Sequence, residues 1–205
     1  MKFSHIILEQ IRQNPKGAKE ILSADGGGRL SMNRVWFFAA RKYHQSGNDR
    51  DYAFNYFENM FDSRFVSNST NRQRKVELLN KLDNYIKDYQ TQGFEFYDYS
   101  IRISVDIRYG NMIGGEIFRY DRVGESGYAI TLLDKEDSLW AKELRYPLFQ
   151  IHFSNLFQCP ADNIKVGIYN FEKEVHEYIS FDEATLKQTE IEVLHISNEL
   201  NKIQL

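Results

Sequence analysis

The sequence predicts an α+β or mixed α/β fold, in which a central mixed sheet of about five strands is flanked by helices. Two observations lead to this class. Apolar residues recur every three to four positions through most of residues 4–90, as they do in amphipathic helices. After Gly93 apolar residues alternate with polar ones, as they do in half-buried strands. We therefore expect a helical N-terminal half and a sheet built from the C-terminal half.

Helices are predicted throughout the N-terminal half. They span residues 4–22, 29–43, 50–62 and 75–90. Asn14-Pro15 interrupts the first helix, and Ser31 is the expected N-cap of the second. The glycines of residues 25–28 separate these two helices as a turn, because no Gly-Lys-Ser/Thr follows them as in a phosphate-binding loop. Residues 68–74, NSTNRQR, are predicted to be a polar loop that carries positive charge into the last of these helices.

Strands dominate the C-terminal half. They are predicted at residues 99–108, 112–123, 127–133, 164–171 and 175–181. In the first strand, one face carries isoleucine and valine, and the other carries Arg102, Ser104, Asp106 and Arg108. A helix over residues 138–157 is kinked or divided at Pro147. Ser180 begins a capping box for a final helix that ends near Ile203.

Length and composition suit one compact unit. The 205 residues, 42% hydrophobic and 15% aromatic, are sufficient for a packed core. Residues 1–93 are expected to form a helical region packed on an αβ core of residues 94–205. Fifteen Phe and thirteen Tyr favour an aromatic core over a platform for stacking bases.

Charge and cysteine content exclude several classes of protein. The net charge of -3 provides no overall basic field for nucleic acid, so any such contact requires a local patch. The single cysteine, Cys159, excludes an intrachain disulfide and a cysteine-based zinc site, and it suits the reducing cytoplasm. No apolar stretch approaches the length of a membrane span, so no membrane contact is expected. The five histidines lack the spacing of zinc ligands.

Residues 114–157 contain the pattern with the most information about function. Two strands joined by a turn lead to a strand end rich in carboxylates, and a helix containing Gln150 follows. This order of parts resembles the core of the PD-(D/E)XK nucleases, in particular the RecB-like branch. The resemblance covers about residues 99–181 and implies a nuclease-like fold. In active members of that superfamily, acidic side chains hold Mg²⁺ against the scissile phosphate and a lysine assists.

The acidic motif matches that family only in part. The family pattern has a glycine-led strand with an aspartate, a second strand ending in D-x-K, and a helix with a glutamine. Here Gly115-Glu-Ile-Phe118 places Phe118 where the first aspartate belongs. Asp121 follows three residues later, on the opposite face if the strand is regular.

In the second half of the motif, Asp134 matches the second acid, but Glu136 stands where the lysine belongs, with Lys135 beside it. Gln150 matches the glutamine of the helix. The resemblance thus implies Asp134, Lys135 and Gln150 as candidate catalytic residues. It implies Asp121, Asp134 and Glu136 as candidate metal ligands, to which Glu116 could be added in an offset site. The alternative is that these acids are strand-end and turn charges facing water.

Four arginines are the candidates for nucleic-acid contact. Arg72 and Arg74 lie near the predicted loop between two helices, and Arg102 and Arg108 share one strand face. Side chains grouped in this way can contact phosphates without reading bases. Scattered surface charge is the alternative interpretation.

These observations lead to three functional hypotheses. The first is a catalytically degenerate nuclease fold that acts as a DNA-binding or assembly subunit, with a protein partner and without a cofactor. The resemblance implies DNA repair or antiviral defence as its setting. The second is an active DNA nuclease with a rearranged motif that uses Mg²⁺ or Mn²⁺. The third is a protein-interaction module without nucleic-acid binding. The sequence leaves open whether the chain is an enzyme.

Overall fold

The computed structural model describes residues 1–23, 31–134 and 139–204, and for Ser100, Asp134 and Gln204 it describes the backbone. The helices are α1 (Leu8–Gln13), α2 (Ala18–Ser23), α3 (Met32–Gln45), α4 (Arg50–Arg64), α5 (Ser69–Thr91), α6 (Arg145–Phe157) and α7 (Glu183–Gln204). The strands are β1 (Lys2–Ser4), β2 (Glu95–Asp106), β3 (Met112–Val123), β4 (Gly127–Asp134), β5 (Ile164–Asn170) and β6 (Val175–Ile179). The predicted α+β class with a mixed, helix-flanked sheet is confirmed.

Strand β3 is the centre of the sheet. Antiparallel β2 pairs with one of its edges along almost the whole strand. The other edge is shared, because β1 pairs parallel with the first residues of β3 and β4 pairs antiparallel with the last. Strand β5 runs parallel to β4, and β6 pairs antiparallel with β5. The parallel pair requires a crossover, which α6 provides.

Helices cover both faces of the sheet, and each face has its own hydrophobic core. One core unites β1, α1, α6 and α7 with the sheet, and it contains Ile103, Val105 and Phe149. The other core lies between the sheet and α3–α5, and it contains Trp36 and Phe118. The alternation predicted for β2 agrees with the structure, since Ile103 and Val105 are buried whereas Arg102, Ser104 and Asp106 are exposed.

Two N-terminal predictions differ from the structure. Strand β1 was not predicted, because three residues are too few to show an alternating pattern. The predicted loop at residues 68–74 is instead the start of α5, and the Asn68 side chain caps it by accepting from the Asn71 amide at 2.8 Å. The first turns of α5 are polar because they face solvent, so apolar periodicity could not reveal them. The predicted glycine turn at residues 25–28 lies outside the described residues.

Three of the boundaries that differ in the C-terminal half have a clear structural reason. Strand β2 begins at Glu95, where an irregularity between Phe96 and Asp98 obscures the alternation. Helix α6 begins at Arg145, which places Pro147 in the first turn, where its missing N–H has no helical partner to lose. The cap of α7 is Asp182, whose Oδ1 accepts from the Thr185 amide at 2.8 Å. The described helices include none with the length and apolar character needed to cross a bilayer.

Candidate functional site: a buried arginine cluster

The predicted acids of β3 and β4 are not brought together. In the β3–β4 ladder Asp121 lies opposite Ala129, and Asp134 is five residues further along β4. At the rise of a β-strand, this offset separates the two positions by about 16 Å. A divalent ion has its oxygen ligands at about 2.0–2.6 Å. In this arrangement Asp121 and Asp134 therefore do not fit as ligands of one metal ion.

Asp121 is occupied by internal partners. Its Oδ2 accepts from Arg119 Nε at 2.7 Å, and its Oδ1 accepts from the Tyr89 hydroxyl at 3.2 Å. Both Asp121 and Arg119 are completely buried. A regular strand would place Asp121 and Phe118 on opposite faces of the sheet. Here both residues contact the α3–α5 layer, so they lie on the same face.

Gln150 lies on the other side of the sheet. It is completely buried in α6, whose neighbouring residue Phe149 belongs to the core on that side. Its Nε2 donates to the carbonyls of Ala161 and Phe181 at 3.0 and 3.1 Å, and its Oε1 accepts from the Phe181 amide at 2.7 Å. These bonds link α6 to the segments before β5 and α7, and they direct the amide away from Asp121.

The other predicted site residues are dispersed or not described. Lys135 and Glu136 lie outside the described residues, so their roles stay predictions. Glu116 forms an ion pair with Arg41 of α3.

The four candidate arginines are all exposed but fall into two groups. Arg72 and Arg74 are in the first turns of α5, Arg102 is in the middle of β2, and Arg108 follows that strand. Among the described ion pairs, Arg74 is paired with Glu77 at 3.6 Å.

The structure instead reveals a polar cluster that the sequence motifs did not indicate. Its centre is the Arg119 guanidinium, between the sheet and α3–α5. Besides Asp121, this group donates from Nη1 to the Tyr85 hydroxyl and from Nη2 to the Tyr178 hydroxyl at 3.2 Å. The Tyr178 and Thr131 oxygens lie 2.6 Å apart. Each nitrogen of the guanidinium thus has a polar partner, which satisfies a charge that would otherwise be costly to bury.

Two histidines complete the arginine cluster. His176 Nδ1 lies 2.6 Å from Asp88 Oδ2, and its Nε2 lies 3.3 Å from Arg119 Nη2. His44 Nε2 lies 2.5 Å from the Tyr85 hydroxyl. Because a guanidinium can only donate, His176 must be neutral, with its proton on Nδ1 toward Asp88. The geometry therefore sets the tautomer of this ring.

Burial and the central charge determine how the arginine cluster ionises. Burial and the nearby guanidinium lower the pKa of His176 to about 4, although Asp88 opposes the change. The same two causes lower the pKa of His44 well below its ordinary value. Burial raises the pKa of Asp121, which Arg119 opposes. Burial by itself lowers the pKa of Arg119, but Tyr85 and Asp121 outweigh it and hold that pKa above its ordinary value.

An interruption of the strand pattern places Arg119 here. Ile117 and Tyr120 contact the core that contains α6, whereas Phe118 and Arg119 both contact the α3–α5 layer. Strict alternation would have placed Arg119 with Ile117. The sequence signal was an arginine and an aspartate two residues apart in the middle of β3. Such a pair in the middle of a strand indicates a buried ion pair as readily as a catalytic acid.

The glycine of the predicted motif also has a packing role. A Cβ atom at Gly115 would lie 2.0 Å from Cδ2 of His5, whose ring occupies the space above the strand. His5 follows β1, so the close approach is part of how the N-terminus joins the sheet. Gly115 is therefore explained by packing, without reference to a nuclease motif.

No protein-family model matches the sequence, and no curated protein matches it either. Among the side chains that the structure describes, no three of His, Cys, Asp or Glu are arranged to hold a metal ion.

Proposed function

We propose that the chain is a catalytically degenerate, nuclease-like protein that serves as an assembly subunit. The observation that carries the proposal is the state of Asp121. Its two carboxylate oxygens accept from Arg119 and Tyr89, and its side chain has no exposed surface. A metal ion would have to replace the guanidinium, whose positive charge repels a cation in a site of low dielectric.

Phe118 supports the same proposal. The β3–β4 ladder ends at the pair Arg119–Thr131, and Phe118 lies directly beyond this pair. Phe118 is therefore nearer than Asp121 to the end of β4, where Asp134 lies. Its ring packs against Phe37 and Tyr85 at centroid distances of 5.1 and 5.9 Å. Where the resemblance implies a carboxylate, this chain has an aromatic core contact.

The surface between α4 and α5 supports assembly. Val66 and Val76 are 78% and 57% exposed, and they line a cavity of about 490 Å³ that also includes Phe61 and Leu79. Exposed apolar side chains grouped around a cavity are typical of protein contacts. The lysine of this cavity, Lys75, already pairs with two acids of α4.

Metal binding and cleavage test the proposal directly. Mg²⁺ and Mn²⁺ would be titrated by calorimetry into the wild type and Asp134→Ala, and both proteins would be incubated with single- and double-stranded DNA. We expect no metal-dependent cleavage. Cleavage by the wild type that disappears in a folded Asp134→Ala protein would contradict the proposal and support an active nuclease with a rearranged motif.

DNA affinity separates the remaining alternatives. Fluorescence anisotropy of a labelled duplex measures this affinity. A salt concentration of about 50 mM is the sensitive condition, because phosphate contacts weaken steeply as salt increases. We expect no measurable binding. Binding that falls in Arg72→Ala/Arg74→Ala or Arg102→Ala/Arg108→Ala, and not in the control Lys187→Ala, would show a DNA-binding subunit instead. Lys187 is a suitable control because it is exposed on α7.

A further inference from the structure

We propose that β2 is the contact surface of a symmetric homodimer. In this dimer the β2 strands of two chains pair antiparallel about a two-fold axis at Ser104, which joins two sheets into one. The dimer is independent of the nuclease resemblance, because the same strand edge would be present in an active or an inactive chain. Cleavage and metal binding test the proposed function, whereas the mass of the particle tests the dimer.

The first observation is the free edge of β2. This strand has twelve residues and pairs with β3 along one edge. In the described part of the chain, no strand pairs with its other edge. A long open edge presents unpaired N–H and C=O groups, and such a row is a template for pairing with another chain.

The direction of the backbone groups determines which residues of β2 can pair. The Ile107 amide donates to the Asn111 carbonyl at 3.0 Å across the turn into β3. In an antiparallel ladder, alternate residues direct both backbone groups to the same neighbour. Every second residue of β2, counted back from Ile107, therefore bonds to β3. The residues between them, Arg102, Ser104 and Asp106, direct their N–H and C=O groups toward the free edge.

The charges of these three residues select one register. With the axis at Ser104, Arg102 lies opposite Asp106 of the second copy, and symmetry creates this pair twice. Opposite charges facing each other across strands are stabilising. An axis at Arg102 would instead place two arginines opposite each other and Asp106 opposite Asp98, which is repulsive. Only the register at Ser104 pairs Arg102 with Asp106 in both directions.

The side chains required for these pairs are accessible. Arg102 and Asp106 are both exposed. Glu116, the neighbour of Arg102 on β3, forms an ion pair with Arg41 of α3. One oxygen of Asp106 accepts from the Arg108 amide at 2.8 Å, which orients the carboxylate beside the free edge.

A groove beside β2, lined in part by apolar side chains, provides a second observation. The groove has a volume of about 760 Å³ and lies between β2, α6 and α7. Leu148, Ile151 and Leu194 line it, together with Ile191, which is 61% exposed. Residues 104–108, at and just after the end of β2, form one wall of this groove, so a strand added at the free edge of β2 would lie beside it. The second copy would thus cover apolar surface that the monomer leaves in water.

Light scattering coupled to size-exclusion chromatography tests the dimer through a charge swap. We expect the wild type to have twice the monomer mass. Arg102→Asp and Asp106→Arg each convert two attractive pairs into two repulsive ones, so each should raise the dissociation constant on the order of tenfold or more. The double variant Arg102→Asp/Asp106→Arg restores opposite charges across the axis and should recover the dimer.

Crosslinking tests the position of the axis. In a hydrogen-bonded antiparallel pair, the Cα atoms are about 5.5 Å apart, which is within the range of a disulfide. Ser104→Cys should therefore form a covalent dimer under mild oxidation. Ser126→Cys, in the exposed turn between β3 and β4, is the matched control and should not exceed the crosslinking of the wild type, which retains Cys159.

Several results would overturn the proposal. One is a monomer at every concentration tested, including a monomer that binds some other partner at β2. Another is a dimer whose dissociation constant is the same in both single charge variants. Ser104→Cys that crosslinks no more than Ser126→Cys would also overturn it. Circular dichroism of each variant establishes that it is folded, so that loss of the dimer is not confused with loss of the fold.

Discussion

Arg119 Nε donates to Asp121 Oδ2 at 2.7 Å, and neither side chain has any exposed surface. The two residues are on the same strand, two positions apart, and together they connect β3 to α5 through Tyr85 and Tyr89. A buried pair of this kind adds little net stability compared with apolar residues, but removing one partner leaves an uncompensated charge.

Asp121→Ala should therefore destabilise the fold strongly. The Arg119 guanidinium would remain buried without its counter-charge, for which about 3–5 kcal/mol is typical. Urea denaturation followed by circular dichroism measures the change. Arg119→Met/Asp121→Ala, which removes both charges, should recover part of the loss. A double variant whose destabilisation equals the sum for Arg119→Met and Asp121→Ala would contradict this. Lys187→Ala, in an exposed pair with Glu183, should leave the midpoint unchanged.

His176 should make the protein less stable in mild acid. Its pKa is lowered to about 4 in the folded state, whereas an unfolded histidine has about 6.5. Below about pH 6.5 the unfolded chain therefore binds more protons than the folded chain. The contribution of His176 to stability is complete above this pH and is lost as the pH falls toward 4. The slope for one histidine is at most about 1.4 kcal/mol per pH unit.

Urea denaturation of the wild type and His176→Gln between pH 7 and about 4.5 isolates this effect. We expect a shallower dependence of the unfolding free energy on pH in His176→Gln. Asp121 is present in both proteins, whereas Asp88 loses a hydrogen-bond partner in His176→Gln, so the difference between the curves belongs to His176 together with Asp88. Parallel curves would refute the assignment. His195→Gln, which changes an exposed histidine of α7, is the matched control.

Gln150 should have a structural role that can be measured without a substrate. Gln150→Ala leaves the Ala161 and Phe181 carbonyls and the Phe181 amide without their partner, and each buried group left unsatisfied costs about 1–3 kcal/mol. The urea midpoint should fall clearly, whereas Gln188→Ala on the exposed face of α7 should have little effect. An unchanged midpoint for Gln150→Ala would show that the amide is not needed to join α6 to α7.

Gly167 should not tolerate a side chain. A Cβ atom there would lie 2.0 Å from the Glu177 carbonyl oxygen and 2.9 Å from Tyr178 Cα, both in the backbone of β6. Gly167→Ala should separate β6 from β5 and loosen Tyr178, a partner of Arg119. Amide hydrogen exchange should show faster exchange in β6, with exposed Lys165→Ala of the same strand as control. Unchanged protection in β6 would contradict the contact.

Element types could be read from the sequence because they depend on short-range periodicity. The predicted bounds of α4, β3 and β4, residues 50–62, 112–123 and 127–133, lie within two residues of the observed ones. Boundaries were missed where a cap or a local irregularity acts, as at Asn68, Asp182 and the start of β2. These features depend on single hydrogen bonds, which periodicity does not report.

The candidate site was much less predictable. Asp121 and Gln150 were identified as residues of interest, but each has a partner from a distant part of the chain: Tyr89 from α5 for Asp121, and Phe181 from the segment before α7 for Gln150. Arg119, His44 and His176 were missed because their common feature is spatial proximity, not spacing. Which face of β3 an acid occupies depended on the interruption between Phe118 and Arg119.

By itself, the sequence determined the class of fold, the order of its main elements and the alternation of β2, because each follows from local patterns of apolar residues. The tertiary structure alone decided that Tyr85 and Tyr89 of α5 enclose the Arg119–Asp121 pair, that Asp134 is far from Asp121, and that one edge of β2 is left open. Those properties depend on strand register and on which elements meet across the sheet. Register and layer packing join residues that are distant in sequence, so no local pattern encodes them.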